Sequence, residues 1–162
     1  MAVWGAPVPR EEHAADACIA ALELKSELEK LSWVPAGERA PLTRMGIHSG
    51  EMVAGMVGGE GIAHYTVMGD NVVVASRLEG ANKVYGTQIL VGEGCRDRAK
   101  ERVAFREIDR VVLKGKSQSL RVYEPVGLIG ALSSKDKEKL EAFAAALKLY
   151  RDKRWRESAA AF

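Results

Sequence analysis

The sequence predicts an α+β domain: a mixed, partly antiparallel sheet with helices on one face, followed by a helical tail. Three observations carry this prediction. Segments rich in β-type residues alternate with segments whose apolar residues recur at helical spacing. Short turns at Gly50 and around Lys114, Gly115 and Lys116 suit hairpins, which argues against a wholly parallel sheet. Past residue 133 only the helical period remains, through Leu140, Phe143, Ala144, Leu147 and Tyr150.

A chain of 162 residues fits one globular domain and an appendage, and is long enough to bury a core without staples. The net charge is +2 with both signs interspersed, so no basic face or block marks a nucleic-acid or membrane-surface protein. Cys18 and Cys95 are isolated in sequence and read as reduced thiols, which predicts a cytoplasmic setting. No signal peptide follows Met1, and no apolar run is long enough to span a bilayer. A parent protein anchored in a membrane through another segment is compatible with all of this.

Taken in order, Ala2, Val3 and Trp4 resemble the tail of a strand, closed by Gly5, Ala6 and Pro7. A domain that opens mid-strand predicts that something precedes it. Residues 11–31 carry Ala14, Ala17, Ala21, Leu24, Leu28 and Leu31 at helical spacing, with Glu11 and Glu12 in the first turn where the helix dipole favours negative charge. Pro35, Gly37 and Pro41 mark a loop. Residues 43–49 and 52–57 read as two strands joined through Ser49 and Gly50. Gly55, Gly58, Gly59 and Gly61 read as turn glycines beside a hairpin, since no Gly-Lys-Ser/Thr follows at phosphate-loop spacing.

Residues 65–78, YTVMGDNVVVASRL, pass from a strand through a Gly-Asp-Asn turn into a helix. Asp70 or Asn71 is placed to cap that helix. Positions 73 and 77 lie four apart and share a face, while Val74, Leu78, Ala81 and Tyr85 form an apolar stripe on another. A strand end, a tight turn and a helical arginine then converge, which suits an anionic ligand. The same residues also suit a plain corner with a surface arginine. Residues 87–91 form a short strand, residues 92–100 a short helix, and residues 103–109 and 110–113 β-like runs. Residues 120–123 form a last strand ended by Pro125. Gly115, Lys116 and Ser117 imitate the end of a Walker loop, but Arg110 stands where its first glycine belongs. Residues 1–126 make the domain, 127–133 a linker, and 134–162 a helical tail with a charged turn at residues 151–154. The tail fits either the start of a helical repeat or a helix docked on the domain.

The chemistry readable from residue types alone is sparse. His13, His48 and His64 are too scattered for a metal site and read as structural. No Ser-His-Asp or Cys-His arrangement follows from spacing. Lys114 and Lys116 sit on a turn, where either reaches phosphate oxygens as a point charge or simply solvates a hairpin tip.

Three stretches in register carry a resemblance: GIHSGEMVAGMVG (residues 46–58), YTVMGDNVVVASRLEGANKVYGTQILV (65–91) and VLKGKSQSLRVYE (112–124). Together they resemble the C-terminal two-thirds of a class III nucleotidyl cyclase catalytic domain, of the bacterial adenylate cyclase type. AVWGAPVPREEHAADACIAAL (residues 2–22) is similar to the strand and helix that come earlier in that domain. The resemblance implies an incomplete ferredoxin-like cyclase fold that converts ATP to 3′,5′-cyclic AMP and pyrophosphate in intracellular signalling. It also implies a homodimer with sites at the subunit interface and an upstream sensor domain in the parent protein. The family's purine-recognising position falls on Thr66, whose hydroxyl donates or accepts. Its transition-state arginine falls on Arg77, and its phosphate-binding lysine on Lys114 or Lys116.

Two departures qualify what the resemblance implies. The family helix carries Asn one turn before its arginine, and Val73 stands there instead, unable to donate a hydrogen bond. The family's two metal-binding aspartates belong to segments that would precede Ala2. Mg²⁺ or Mn²⁺ is therefore expected in the complete domain, with no metal site in this chain and none bound to it. A fragment of this kind is expected to be inactive alone, with an unprotected sheet edge that favours self-association or strand exchange. The other expectation is a degenerate, non-catalytic cyclase-like module that dimerises with or regulates an active partner. No nucleic acid and no direct membrane span are expected.

Overall fold

The computed structural model describes residues 1–30, 42–59, 61–113, 115 and 118–162. The elements run in chain order as α1 (His13–Glu29), β1 (Met45–Ile47), β2 (Val53–Gly59), β3 (Ile62–Met68), α2 (Asp70–Tyr85) and β4 (Ile89–Gly92). They continue as α3 (Glu93–Ala99), β5 (Val103–Val112), β6 (Ser119–Leu128), a 3-10 turn (Ile129–Ala131), α4 (Ser134–Arg151) and α5 (Trp155–Ala161). Among the described residues no helix is long and apolar enough to cross a membrane.

The strands form a four-stranded sheet, ordered β1-β4-β6-β5, and a separate two-stranded ribbon of β2 and β3. β1 runs parallel to β4, whereas β4 with β6 and β5 with β6 are antiparallel. The mixed sheet expected from sequence is therefore present. The turn at Gly50 does not make a hairpin. β1 pairs with β4, and β2 pairs in full antiparallel register with β3, so Gly50 lies where the chain leaves one sheet for the other. Local sequence proposes a pairing partner, but the strand with the better apolar match wins it. Gly55, Gly58 and Gly59 lie within β2, and only Gly61 lies beyond its end.

Alternation along β4 divides the core in two. Ile89 and Val91 pack with Ala14, Cys18 and Ala21 of α1 and with Cys95 and Ala99 of α3. Leu90, on the opposite side, packs with Val74 and Leu78 of α2 and with Val122. The mixed α+β architecture is as expected, but helices cover both faces and not one: α1 and α3 pack on one side and α2 on the other, because β4 is apolar on both. Gly46 shows how closely α2 approaches: a Cβ there would lie 2.1 Å from the Ala75 carbonyl oxygen. Val74, Leu78, Ala81 and Tyr85 all face this second core, as their spacing predicts.

Other sequence readings are corrected at their edges. Residues 2–4 form no strand; the chain bends there and reaches helix only at His13. Residues 103–112 form one continuous strand, not two. β6 does not stop at Pro125. Ala104 pairs with Gly127 and Phe105 with Pro125, so a bulge at Val126 takes the proline, beyond the stretch where β6 pairs with β4. Proline is tolerated there because its missing N–H breaks no ladder bond.

The tail is a helix, a tight turn and a second helix. Ser133 caps α4 by accepting from the Asp136 amide. The two helices lock through edge-to-face pairs of Phe143 with Phe162 and Tyr150 with Trp155, and the buried Ser158 hydroxyl donates to the Ala146 carbonyl. The Arg106 guanidinium lies over the Phe143 ring and Arg151 pairs with Glu107, which docks α4 on β5.

Candidate functional site

The corner between β3 and α2 places the candidate residues. Gly69 takes the cap position of α2 with φ 137°, a conformation that L side chains rarely adopt. No side chain caps this helix by a hydrogen bond, so the capping role expected of Asp70 or Asn71 is not what the fold uses. The sharp turn at Gly69 brings the Asn71 carboxamide away from the helix start, where it donates to the Glu51 carbonyl at 2.9 Å.

Thr66 lies on β3, opposite Gly55 of β2, and is partly buried. Val73 and Arg77 share one face of α2, as their spacing predicts. Val73 is 42 % exposed. Arg77 folds back against the β5–β6 turn: a Cβ added at Gly115 would lie 3.4 Å from its Nη2. Gly115 itself turns the chain with φ 72°. The Arg77 Nη1 is buried and, among the described residues, has no hydrogen-bond partner. A guanidinium with an unused donor, held beside a tight turn, suits an anion. Lys114 and Lys116 flank that turn in sequence but lie outside the described residues.

A cavity of about 1650 Å³ opens on the other side of this corner, lined by Trp4, Ala17, Leu24, Ile47, Val67 and Val72 among others. Neither Thr66 nor Arg77 lines it. The periodicities explain why. Val67 faces the cavity, so its neighbour Thr66 faces the opposite side of the ribbon. Val72 and Ser76 face it, which turns Val73 and Arg77 roughly a third of a turn away on the helix. Thr66 and Arg77 thus both point away from the large cavity, and among the described residues no hydrogen bond joins them.

Sequence reasoning missed two polar clusters. His13 Nε2 bonds the Ser49 hydroxyl at 2.7 Å while its Nδ1 bonds the Arg10 carbonyl at 2.9 Å. His48 Nε2 donates to the Asn71 Oδ1 at 3.2 Å. Both join residues far apart in the chain, so no local spacing signals them. Asn82, fully buried, ties the end of α2 to β1 by donating to the Met45 carbonyl at 3.0 Å and accepts from the Thr87 hydroxyl at 2.7 Å. Tyr85 donates to Asp109 at 2.8 Å; burial first, and then this bond, push its phenol up to about 12. Cys18 and Cys95 are free and buried in one core cluster; the Cys95 contact and burial raise the Cys18 thiol, while the Cys18 contact lowers that of Cys95. Among the described residues no group of three His, Cys, Asp or Glu side chains is placed to hold a metal ion.

The chain is similar to known proteins in sequence and in fold. The sequence model described as the adenylate and guanylate cyclase catalytic domain matches residues 1–124. Adenylate cyclase 1 of Rhizobium meliloti (strain 1021) is 41 % identical over 136 residues, which is 83 % of this chain and 20 % of that protein. The guanylate cyclase soluble subunit beta-2 of Rattus norvegicus is 38 % identical over 79 residues, 49 % of this chain and 11 % of that one. Among solved structures, the adenylyl cyclase CyaB from P. aeruginosa superposes with a TM-score of 0.68 at 25 % identity, covering 80 % of this chain and 68 % of that one. The chain therefore spans about a fifth of the length of the Rhizobium relative.

Proposed function

Because the chain belongs to the adenylate and guanylate cyclase catalytic-domain family, we propose that it forms part of an adenylate cyclase, which closes ATP to 3′,5′-cyclic AMP and releases pyrophosphate. The observation that carries this reading is the Arg77 guanidinium, held against the Gly115 turn with one buried donor unused among the described residues. In the reaction the ribose 3′-oxygen forms a bond to the α-phosphorus and the bond to the pyrophosphate oxygen breaks. Arg77 opposes the negative charge that builds on the α-phosphate. A preorganised donor of this kind is worth ~3–4 kcal/mol of transition-state stabilisation. Thr66 offers its hydroxyl to the purine edge, which favours adenine in this reading. Lys114 or Lys116 neutralises the leaving phosphates.

Mg²⁺ or Mn²⁺ would supply Lewis-acid activation of the attacking oxygen in the complete domain. The described residues do not group into such a site, so every role assigned here belongs to this chain's own side chains. The active unit is a homodimer, supported by the bare apolar ribbon of β2 and β3, where Val53, Met56 and Ile62 are each about two-thirds exposed. An upstream sensor domain and a cytoplasmic setting complete the proposal.

A second reading, a non-catalytic cyclase-like module, is favoured by one observation: the partly exposed side chain beside Arg77 is the hydrocarbon of Val73. One assay separates the two. The chain is incubated with ATP or GTP and Mg²⁺ or Mn²⁺, alone and with a complementary N-terminal segment from the Rhizobium relative. Cyclic AMP on complementation, abolished in Arg77→Ala, supports the enzyme. Nucleotide binding without turnover supports the module. Neither binding nor product overturns both.

A further inference from the structure

The carboxamide of Asn71 ties the first turn of α2 to two residues of the β1–β2 connector, His48 and Glu51. Its Nδ2 donates to the Glu51 carbonyl at 2.9 Å, and its Oδ1 accepts from His48 Nε2 at 3.2 Å. The orientation of the amide follows from chemistry: a backbone carbonyl only accepts, so the amino group faces Glu51 and the oxygen faces His48. His48 must then carry its proton on Nε2. The other side of that ring is fixed by β4, because a Cβ at Gly92 would fall 2.4 Å from His48 Nδ1. The connector between β1 and β2 presses just as closely on Asn71: a Cβ at Gly50 would fall 2.4 Å from its Nδ2. A side chain at position 50 would have to displace the amide from this place.

This latch sits in the first turn of α2, where Gly69 holds the cap position and offers no side chain to the helix amides. The helix it holds carries Val73 and Arg77 on one face. The apolar stripe and Asn82 anchor α2 further along. Without the latch the N-terminal turn loses two of its ties to the rest of the fold, and Arg77 sits within two turns of that end. We propose that Asn71 is a positioning residue. Its carboxamide locks the start of α2 to the β1–β2 connector and to His48, and so sets where Arg77 presents its guanidinium. The catalytic consequence rests on the adenylate cyclase reading, whereas the structural consequence does not.

The test uses ¹⁵N-labelled chain and two variants. Asn71→Ala removes both bonds. Asn71→Asp keeps the acceptor for His48 and loses the donor to Glu51. Amide exchange is followed across residues 69–78 and, as an internal reference, across β5 and β6; the Nε–H signal of Arg77 reports its side chain. Both variants are expected to speed exchange in residues 72–75, the first hydrogen-bonded amides of α2, by about tenfold, the effect of losing a fixed hydrogen bond at an opening segment. The Arg77 signal broadens, and β5 and β6 are unchanged. In the complemented cyclase assay, kcat falls by about tenfold while KM for ATP stays within about twofold, as expected when a transition-state contact is misplaced. Faster exchange spread evenly over the whole chain overturns the proposal, because it marks general destabilisation. So does an unchanged Arg77 signal, or a rise in KM with kcat untouched. The local exchange signature in a chain that makes no cyclic nucleotide supports the latch while the cyclase reading fails.

Discussion

Valine 73 stands one helical turn before Arg77 and is 42 % exposed, so its isopropyl group neither fills the core nor offers a hydrogen bond. An asparagine there would be tolerated, since an exposed helical position costs only a few tenths of a kcal/mol on that change. Val73→Asn is expected to raise the rate of cyclic AMP formation in the complemented assay; a variant no faster than the parent shows that the amide is not limiting. At this scale the chain is partly legible. Arg77 and Val73 share a face because residues four apart in a helix must. The role of Asn71 is not legible, because its partners, His48 and Glu51, come from twenty or more residues away. A short polar residue behind a turn glycine signals a cap, and here a longer-range donor, His48 Nε2, takes the side-chain oxygen that a cap would offer to the helix amides.

Among the elements, α2 is the one whose attachment decides the most. At its far end Tyr85 donates to Asp109 of β5, tying the helix to the sheet edge. Burial and this bond raise the phenol from its ordinary value of 10 to about 12. The stabilisation is whole below pH 10, where the phenol is protonated in both states. It drains away as pH climbs from 10 towards 12, because the unfolded chain ionises first. Tyr85→Phe should therefore cost about 1 kcal/mol at neutral pH, the usual net worth of such a bond. Denaturant titrations at stepped pH should find the gap from the parent closing between pH 10 and about 12; a gap independent of pH refutes the linkage. Element type was mostly legible, since α1, α2 and the tail helices appear where apolar spacing puts them and α3 falls in the polar stretch expected to be a short helix. Strand ends were less so. Pro125 reads as a terminator in isolation, yet the bulge beside it lets β6 run to Leu128.

For the molecule as a whole, the ribbon of β2 and β3 leaves several large apolar side chains uncovered among the described residues. Val53, Ile62 and Met68 lie on one face of the ribbon and are each at least half exposed, and monomeric proteins seldom leave such side chains bare together. In the proposed dimer this ribbon meets a second copy. Lysine at both Val53 and Ile62, on one face of the ribbon, should shift sedimentation towards the monomer and leave the helical circular dichroism unchanged; self-association undiminished by the two charges would locate the interface elsewhere. The sequence by itself determined the family, the kinds and order of most elements and the pairing of Val73 with Arg77 on one face, because these follow from motifs and periodicities that act over a few residues. Only the tertiary structure decided that β1 lies beside β4 rather than β2, that α2 covers the opposite face from α1, and that Thr66 and Arg77 turn away from the main cavity. Those outcomes depend on which apolar faces bury each other across long stretches of chain, and no local pattern encodes that competition.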